Sequence, residues 1–347
     1  MNLKNTPYHA FNGLKALVHV EYWKQIIDKK IVPPPRFVSI DPCAVCNFNC
    51  CFCNAKKVID NKKMSPETMK KIVKTLKSWK TLACCLGGGG ESLLNPVTLD
   101  LIDELYKLNI ELGIVTNGSV LLDKKHLSKC RWVGVSVDAA NAITHSKIKG
   151  VSTNCFYKVI NDLYEMTNKG AEISYKFLIH PDNYLEIYEA TKLAKKIGCN
   201  LIHIRPGAEP WFKKDKSWHF NNEMVLAIRE EIKKARELED NNFKVYGITE
   251  KFNPDFSVRK SFKECYACFT TCFINYVGDV GLCCDRRGDK KIILCNIKDA
   301  NKYWGSKKHF KIHENIDIIK CPRCTYSHVN EIFENVIIED RMGYNLY

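Results

Sequence analysis

Five cysteines fall within thirteen residues near the start of the chain, in the stretch CAVCNFNCCFCNA at positions 43–55. Three of them, Cys46, Cys50 and Cys53, are spaced as C-x3-C-x2-C. Structural zinc sites take four ligands, usually from two separate pairs, whereas iron–sulfur clusters are held by thiolates. Three cysteines on one short loop favour a cluster that leaves one iron open to another ligand. A zinc knuckle completed by Cys43 or Cys51 is the alternative.

A second group of cysteines lies towards the C-terminus, in CYACFTTCFINYVGDVGLCCD and then in CPRC. Cys265 and Cys283 flank a predicted hairpin with a Gly-Asp turn, and Cys321 and Cys324 form a CxxC pair. These four thiolates would complete a closed site, and their spacing alone permits zinc or iron. Cys268 is the alternative to Cys265 as the first ligand.

Composition supports metal binding inside the cell. The chain has 18 cysteines among 347 residues, and in the cytoplasm clustered thiols point to metal rather than to disulfides. No run of eighteen apolar residues and no signal-peptide pattern is present, which predicts a cytoplasmic protein with no membrane partner. A net charge of +14 would suit an acidic partner, but the lysines are spread over predicted helix faces. Nucleic acid is therefore not the favoured partner.

The segments around the first cysteines alternate between strand and helix patterns. The apolar run RFVSID, at positions 36–41, predicts a buried strand that leads directly into the cysteines, and SPETMKKIVKTLKSWK has helix-start signals. Six βα units follow one another between residues 37 and 240, which predicts a parallel sheet, closed in part as an open barrel. We predict an N-terminal extension over 1–36, a barrel over 37–249, a small cysteine-rich domain over 250–330 and a tail over 331–347.

The first motif resembles the signature of the radical S-adenosylmethionine (SAM) superfamily. That signature is C-x3-C-x-Φ-C, with an aromatic residue at Φ, on the loop after the first strand of a partial (β/α)6 TIM-like barrel. The sequence CNFNCCFC matches it. The resemblance implies that Cys46, Cys50 and Cys53 hold a [4Fe-4S] cluster and that Phe52 packs by the adenine of SAM.

Further positions resemble the family's SAM contacts. The family has a GGEP motif after its second strand, and here Gly89, Gly90 and Glu91 match while Ser92 replaces the usual proline. Glycines let the backbone approach a ligand closely, and a carboxylate balances an ammonium group.

Three polar residues after the next two strands match positions that contact SAM in relatives: Asn117, Ser136 and Asp138. Asx turns and helix caps are the alternative interpretation for them. Arg205, which ends the sixth predicted strand, would bind a carboxylate or pair with Glu209.

The C-terminal cysteines resemble the short "twitch" form of the family's SPASM domain. Gly278-x4-Cys283, Trp304 and the Cys321/Cys324 pair occur in the expected order, and the run for a further cluster is missing. The resemblance implies one auxiliary [4Fe-4S] cluster bound by Cys265, Cys283, Cys321 and Cys324. A remaining cysteine could donate a hydrogen atom to a substrate radical, although packing is the alternative role for each.

The resemblance implies an enzyme that cleaves SAM reductively to a 5′-deoxyadenosyl radical, which abstracts a hydrogen atom from an organic substrate. We expect peptide modification by epimerisation, crosslinking or oxidation, with a flavodoxin- or ferredoxin-type electron donor. A small-molecule dehydrogenase acting on a sugar or aminoglycoside-like substrate, or a nucleic-acid-modifying enzyme, is the alternative. The rival from another class is a non-catalytic zinc-binding protein.

Overall fold

A computed structural model describes residues 18–28, 31–169, 172–208, 210, 212, 219–249, 252–257, 261–321 and 324–338. Its strands are β1 (Phe37–Ile40), β2 (Ala83–Leu86), β3 (Glu111–Thr116), β4 (Trp132–Ser136), β5 (Ile173–Ile179), β6 (Leu201–Pro206), β7 (Lys244–Gly247), β8 (Thr271–Ile274), β9 (Asp279–Gly281) and β10 (Ile293–Asn296). Its α-helices are α1 (Val20–Asp28), α2 (Pro66–Trp79), α3 (Val97–Lys107), α4 (Lys124–Leu127), α5 (Ala142–Lys149), α6 (Asn154–Thr167), α7 (Ile187–Ile197), α8 (Asn222–Glu237), α9 (Ala300–Tyr303), α10 (Lys307–Glu314) and α11 (Ser327–Ile332). Of the described helices, none is long and apolar enough to cross a membrane.

The first seven strands are parallel neighbours in chain order, from β1 to β7. Each of the first six is followed by at least one helix before the next strand begins. This confirms the predicted α/β fold with a parallel sheet in a partial TIM-like barrel. The seventh strand, β7, was not predicted.

Local signals place the helices largely where the sequence predicts them. The Ser65 side chain accepts the backbone N–H of Thr68 at 3.1 Å and caps α2, whose first residue is Pro66. Helix α7 ends at Gly198, which has a left-handed φ of 94°. The predicted cap at Gly170 lies outside the described residues. Helix α5 was not predicted, although Asn141 caps its start and Gly150 ends it.

The two faces of the sheet differ in polarity. On the outer face, side chains such as Val133, Val135 and Phe177 are fully buried beneath the helices. Successive strand residues point to opposite faces, so the register places the alternate residues on the inner face of the barrel. The inner residues include Cys85, Ser136, Lys176 and Arg205, each of them half-buried.

The C-terminal region continues the same sheet. Strand β8 pairs in parallel with β1, β9 pairs antiparallel with β8, and β10 with β9. The β8–β9 pair is the hairpin predicted from INYVGDVGLCC. The ten-stranded sheet thus crosses the predicted domain boundary at residues 249 and 250, and the division into domains remains a prediction.

Candidate iron–sulfur and SAM site

The cysteine loop, residues 41–64 between β1 and α2, leaves the carboxyl-terminal edge of the sheet. The end of α5 holds it, because Asn49 N donates to Lys149 O at 2.9 Å and Cys51 N donates to Ile148 O at 3.0 Å. Gly150 follows directly, and a Cβ there would lie 2.6 Å from Asn49 O. A glycine at position 150 therefore lets the loop approach α5 this closely.

The three predicted ligands lie close together on this loop. Burial raises the pKa of the Cys46 thiol and raises that of Cys50 to about 12; Lys149 opposes the increase at Cys50, and the Cys53 and Cys46 thiolates add to it. The effects of these thiols on one another place them near each other on the loop, and an iron–sulfur cluster is held by cysteine sulfurs. The residues present therefore fit the predicted cluster.

All eighteen cysteines are free thiols. Across the described ranges, no group of three or more histidine, cysteine, aspartate or glutamate side chains is arranged to hold a single metal ion.

The glycine turn after β2 packs against the cysteine loop. A Cβ on Gly89 would lie 2.8 Å from Asp41 Cβ, and one on Gly90 would overlap Val45 O and lie 3.0 Å from Cys43 O. Glu91 N donates to Val45 O at 2.7 Å. The sequence suggested that these glycines let the backbone approach a ligand. In the structure the same lack of side chains lets it approach the loop that carries the predicted cluster ligands.

The Glu91 carboxylate connects this turn to the end of β3. It is buried, and it accepts the Asn117 N–H at 2.6 Å, the Thr116 hydroxyl at 2.9 Å and the Leu93 N–H at 3.2 Å. Burial raises its pKa, while these three donors oppose the increase. The carboxylate thus fixes the backbone around Asn117.

Asn117 in turn contacts the cysteine loop. Its Nδ2 donates to Asn47 Oδ1 at 2.9 Å and lies 3.9 Å from Cys46 Sγ. Ser136, at the end of β4, is half-buried on the same edge of the sheet. The Phe52 ring lies 6.4 Å from the His180 ring. The predicted SAM contacts are therefore gathered at the mouth of the barrel, and their role in binding SAM remains a prediction.

Asp138 is already engaged by the protein. Its Oδ2 pairs with the Lys149 ammonium, its Oδ1 accepts the Leu178 N–H at 2.6 Å, and its backbone has a left-handed φ of 59°. Both partners of this ion pair are nearly inaccessible to water. Lys149 also lies near Phe52, with its Nζ 5.3 Å from the ring centroid. Sequence reasoning missed Lys149, although the capping signals of α5 were present.

A second basic group lies deeper inside the barrel. Lys176 Nζ lies 5.7 Å from the centroid of the Trp132 ring. Burial and the neighbouring Arg205 lower the pKa of Lys176 to about 8, and Cys85 and Asp138 oppose the decrease. Glu209, the partner considered for Arg205, lies outside the described residues. Lys176 and Arg205 are thus two neighbouring basic residues on the inner wall of the barrel.

The four predicted auxiliary ligands line one cavity: Cys265, Cys283, Cys321 and Cys324. A hydrogen bond with the Cys268 thiol lowers the pKa of Cys265, whereas burial raises that of Cys268 well above its ordinary value. Cys268 is fully buried and does not line this cavity. The geometry therefore favours Cys265 as the first ligand, and four thiols around one cavity fit a fully ligated cluster.

Two contacts join the cysteine groups. Asn54, which follows Cys53, donates to Asp285 O at 2.6 Å, and the Asp285 carboxylate accepts from Thr325 N at 2.6 Å. Thr325 is the neighbour of Cys324. A short chain of contacts thus runs from one cysteine group to the other.

Comparisons with known proteins agree with this geometry. Residues 40–194 match the Radical SAM superfamily. The chain is 22% identical over 176 residues to the AdoMet-dependent heme synthase of Methanosarcina barkeri, covering 49% of this chain and 50% of that protein. It is 25% identical over 181 residues to the tungsten-containing aldehyde ferredoxin oxidoreductase cofactor-modifying protein of Pyrococcus furiosus, covering 49% and 51%. The chain thus spans about half the length of these curated relatives.

Two solved structures share the fold over most of the chain. Streptococcus suis SuiB bound to its precursor peptide SuiA has a TM-score of 0.64 at 15% identity, covering 94% of this chain and 77% of that one. Native anSMEcpe with bound AdoMet and the Cp18Cys peptide has a TM-score of 0.64 at 19% identity, covering 86% and 88%. At these identities the likeness shows the fold alone.

Proposed function

We propose that this chain, whose residues 40–194 match the Radical SAM superfamily, is an enzyme that cleaves SAM reductively and removes a hydrogen atom from a peptide substrate. The match to this superfamily supports an enzyme that uses SAM and an iron–sulfur cluster. The observation that carries the proposal is the close placement of Cys46, Cys50 and Cys53 beside Asn117 and the Gly89–Glu91 turn.

When bound, a reduced [4Fe-4S] cluster supplies the electron that cleaves SAM to methionine and a 5′-deoxyadenosyl radical. The chain's own residues position the cluster and provide the charged groups around it. Cys46, Cys50 and Cys53 hold the cluster, and the backbone of the turn at Gly89 and Gly90 faces the same loop. By fixing Asn117, the Glu91 carboxylate keeps this edge of the site rigid.

The substrate class is inferred from the neighbours. SuiB and anSMEcpe are described in complex with peptides. We take a peptide as the substrate, modified by epimerisation, crosslinking or oxidation. The cavity lined by Cys265, Cys283, Cys321 and Cys324 supports an auxiliary cluster with four protein thiolates. Every iron of such a cluster would have a protein ligand, so none is left to bind substrate. The function we assign to it is to accept an electron from the substrate as the substrate is oxidised.

The test is anaerobic reconstitution of the wild type and of the Cys46→Ala/Cys50→Ala/Cys53→Ala variant, with iron counted and 5′-deoxyadenosine measured under dithionite. We expect about eight irons in the wild type and about four in the variant, because each cubane holds four. Only the wild type should form the nucleoside. The matched control replaces three cysteines outside both groups: Cys130, Cys155 and Cys199.

Tightly bound zinc with no nucleoside would overturn the proposal in favour of the non-catalytic zinc-binding alternative. Four irons with nucleoside formation would support the enzyme and contradict the auxiliary cluster.

The peptide substrate is tested separately by co-expression with short peptides encoded beside the gene. Mass spectrometry should then show a lost pair of hydrogens for oxidation or crosslinking, or deuterium uptake from heavy water for epimerisation. Unchanged peptides together with turnover of a sugar would favour a small-molecule dehydrogenase.

A further inference from the structure

A buried ion pair lies directly behind the cysteine loop. Lys149, the last residue of α5, is 1% exposed, and its ammonium pairs with the Asp138 carboxylate. Leu178 N donates to the second oxygen of this carboxylate at 2.6 Å, and Asn183 Nδ2 donates to Asp138 O at 2.8 Å. The position of the Lys149 charge is therefore fixed by the surrounding backbone.

Lys149 and the residue before it, Ile148, contact the loop on either side of Cys50. The backbone oxygen of Lys149 accepts the Asn49 N–H at 2.9 Å, and the oxygen of the preceding residue, Ile148, accepts the Cys51 N–H at 3.0 Å. Its ammonium lies 5.3 Å from the centroid of the Phe52 ring. The side chain thus carries its charge to the segment between two of the predicted ligands.

We infer that Lys149 is a positioning residue that sets the reduction potential of the cluster held by Cys46, Cys50 and Cys53. This inference rests on the proposed function. Reduction adds one negative charge to a cluster, and a fixed cation nearby stabilises the reduced form and raises the potential. The effect is strong where water is excluded, and Lys149 lies in such a place.

The Asp138 carboxylate offsets this effect only in part. Its second oxygen accepts a hydrogen bond from Leu178 on β5, whereas the Lys149 ammonium lies against Phe52 on the cysteine loop. The positive member of the pair is therefore the one that faces the cluster ligands. The carboxylate's role is to keep the ammonium charged and in place.

The same helix offers a matched control. Lys147 lies two residues before Lys149, and its side chain is 64% exposed and pairs with Asp182 at 2.8 Å. Changing it to glutamine removes the same formal charge from the same helix, but from a position in water. Solvent and salt screen such a charge.

The experiment measures the midpoint potential of the reconstituted full-length chain by redox titration followed by electron paramagnetic resonance. The signal that changes when SAM is added identifies the cluster in question. We expect Lys149→Gln to shift its potential to a more negative value. Lys149→Arg keeps the charge and should restore the wild-type potential, and Lys147→Gln should leave it unchanged.

A second variant covers the case in which Lys149→Gln loses iron because Asp138 is left buried and unpaired. Asp138→Asn/Lys149→Gln removes both charges and should also shift the potential to a more negative value. A wild-type potential in either glutamine variant that binds iron would overturn the inference, as would an equal shift in Lys147→Gln. A wild type that lacks any SAM-responsive signal would instead overturn the proposed function.

Discussion

Arg287 Nε donates to Asp41 Oδ2 at 2.7 Å, and this ion pair joins the residue that follows β1 to the C-terminal cysteine region. Both side chains are largely buried. Arg287 Nη2 also donates to Ser39 Oγ at 2.9 Å, and the guanidinium lies 5.4 Å from the centroid of the Phe273 ring. The guanidinium and the carboxylate therefore contact each other and these neighbours instead of water. The pair therefore anchors the C-terminal region inside the mouth of the barrel.

Breaking this ion pair should destabilise the chain strongly. Arg287→Met leaves the Asp41 carboxylate buried without its cation, and we expect the free energy of unfolding to fall by about 3–5 kcal/mol. Denaturant unfolding of the apoprotein measures this. The control is Lys71→Met, which breaks the exposed pair with Glu67 on α2 and should leave the free energy of unfolding almost unchanged. Equal losses in the two variants would contradict the buried role of Arg287.

Iron content should separate the two candidates for the first auxiliary ligand. Cys265→Ser should lower iron by about four atoms per chain, because a cubane held by four thiolates loses one ligand from its cavity. Cys268→Ser should retain the full iron content, since this thiol contacts Cys265 but does not line the cavity. The reverse pattern would assign the ligand to Cys268 instead.

The glycine turn should control how well the first cluster is held. In Gly90→Ala the new methyl group overlaps Val45 O, and we expect a loss of about 1–3 kcal/mol in stability with faster release of iron to a chelator. Ser92→Ala is the control in the same turn. The Ser92 hydroxyl is buried without a hydrogen-bond partner among the described residues, so removing it should retain or increase the stability. Wild-type iron release from Gly90→Ala would show that the loop tolerates the shift.

His309 should make stability depend on pH below neutrality. Its Nε2–H donates to Cys268 O at 3.0 Å while its Nδ1 accepts the Gly305 N–H at 3.1 Å, which defines a neutral ring. Burial lowers its pKa from 6.5 to about 4. Between these values the unfolded chain binds a proton that the folded chain does not. Stability is thus retained above pH 6.5 and lost as the pH falls towards 4.

Unfolding free energies of the apoprotein between pH 6.5 and 5 test this. This one histidine should contribute a slope that grows from about 0.7 kcal/mol per pH unit at pH 6.5 to about 1.2 at pH 5, and His309→Gln should reduce the slope of the wild type by that amount. A His309→Gln slope equal to that of the wild type would show that the ring is not held neutral.

Several features were predictable from the sequence because they depend on local patterns. One short stretch of sequence contains both the spacing of Cys46, Cys50 and Cys53 and the apolar run at positions 36–41 that predicts the first strand. Helix caps such as Ser65 act on residues only three positions away. Parallel strands end at one edge of a sheet, so the placement of Asn117 and Ser136 at the edge that carries the cysteine loop followed from the alternation of elements.

The long-range pairs were not predictable in this way. Arg287 lies 246 positions from Asp41, and no local pattern relates them. Lys149 occurs among many lysines, and only the packing of α5 behind the cysteine loop distinguishes it from its exposed neighbours. Strand β7 was not predicted because it has only four residues and is partly exposed. The Glu91 carboxylate was expected to face a ligand ammonium, yet it accepts three hydrogen bonds from the chain.

The parallel pairing of β8 with β1 has a consequence for attempts to divide the protein. A truncation after residue 249 would strip β1 of one hydrogen-bonding partner and leave its backbone as an open edge, prone to pairing with other chains. β1 leads into the loop that carries Cys46, Cys50 and Cys53, so the damage would reach the half that was meant to be kept. We therefore expect the two halves to be expressed and engineered successfully only together.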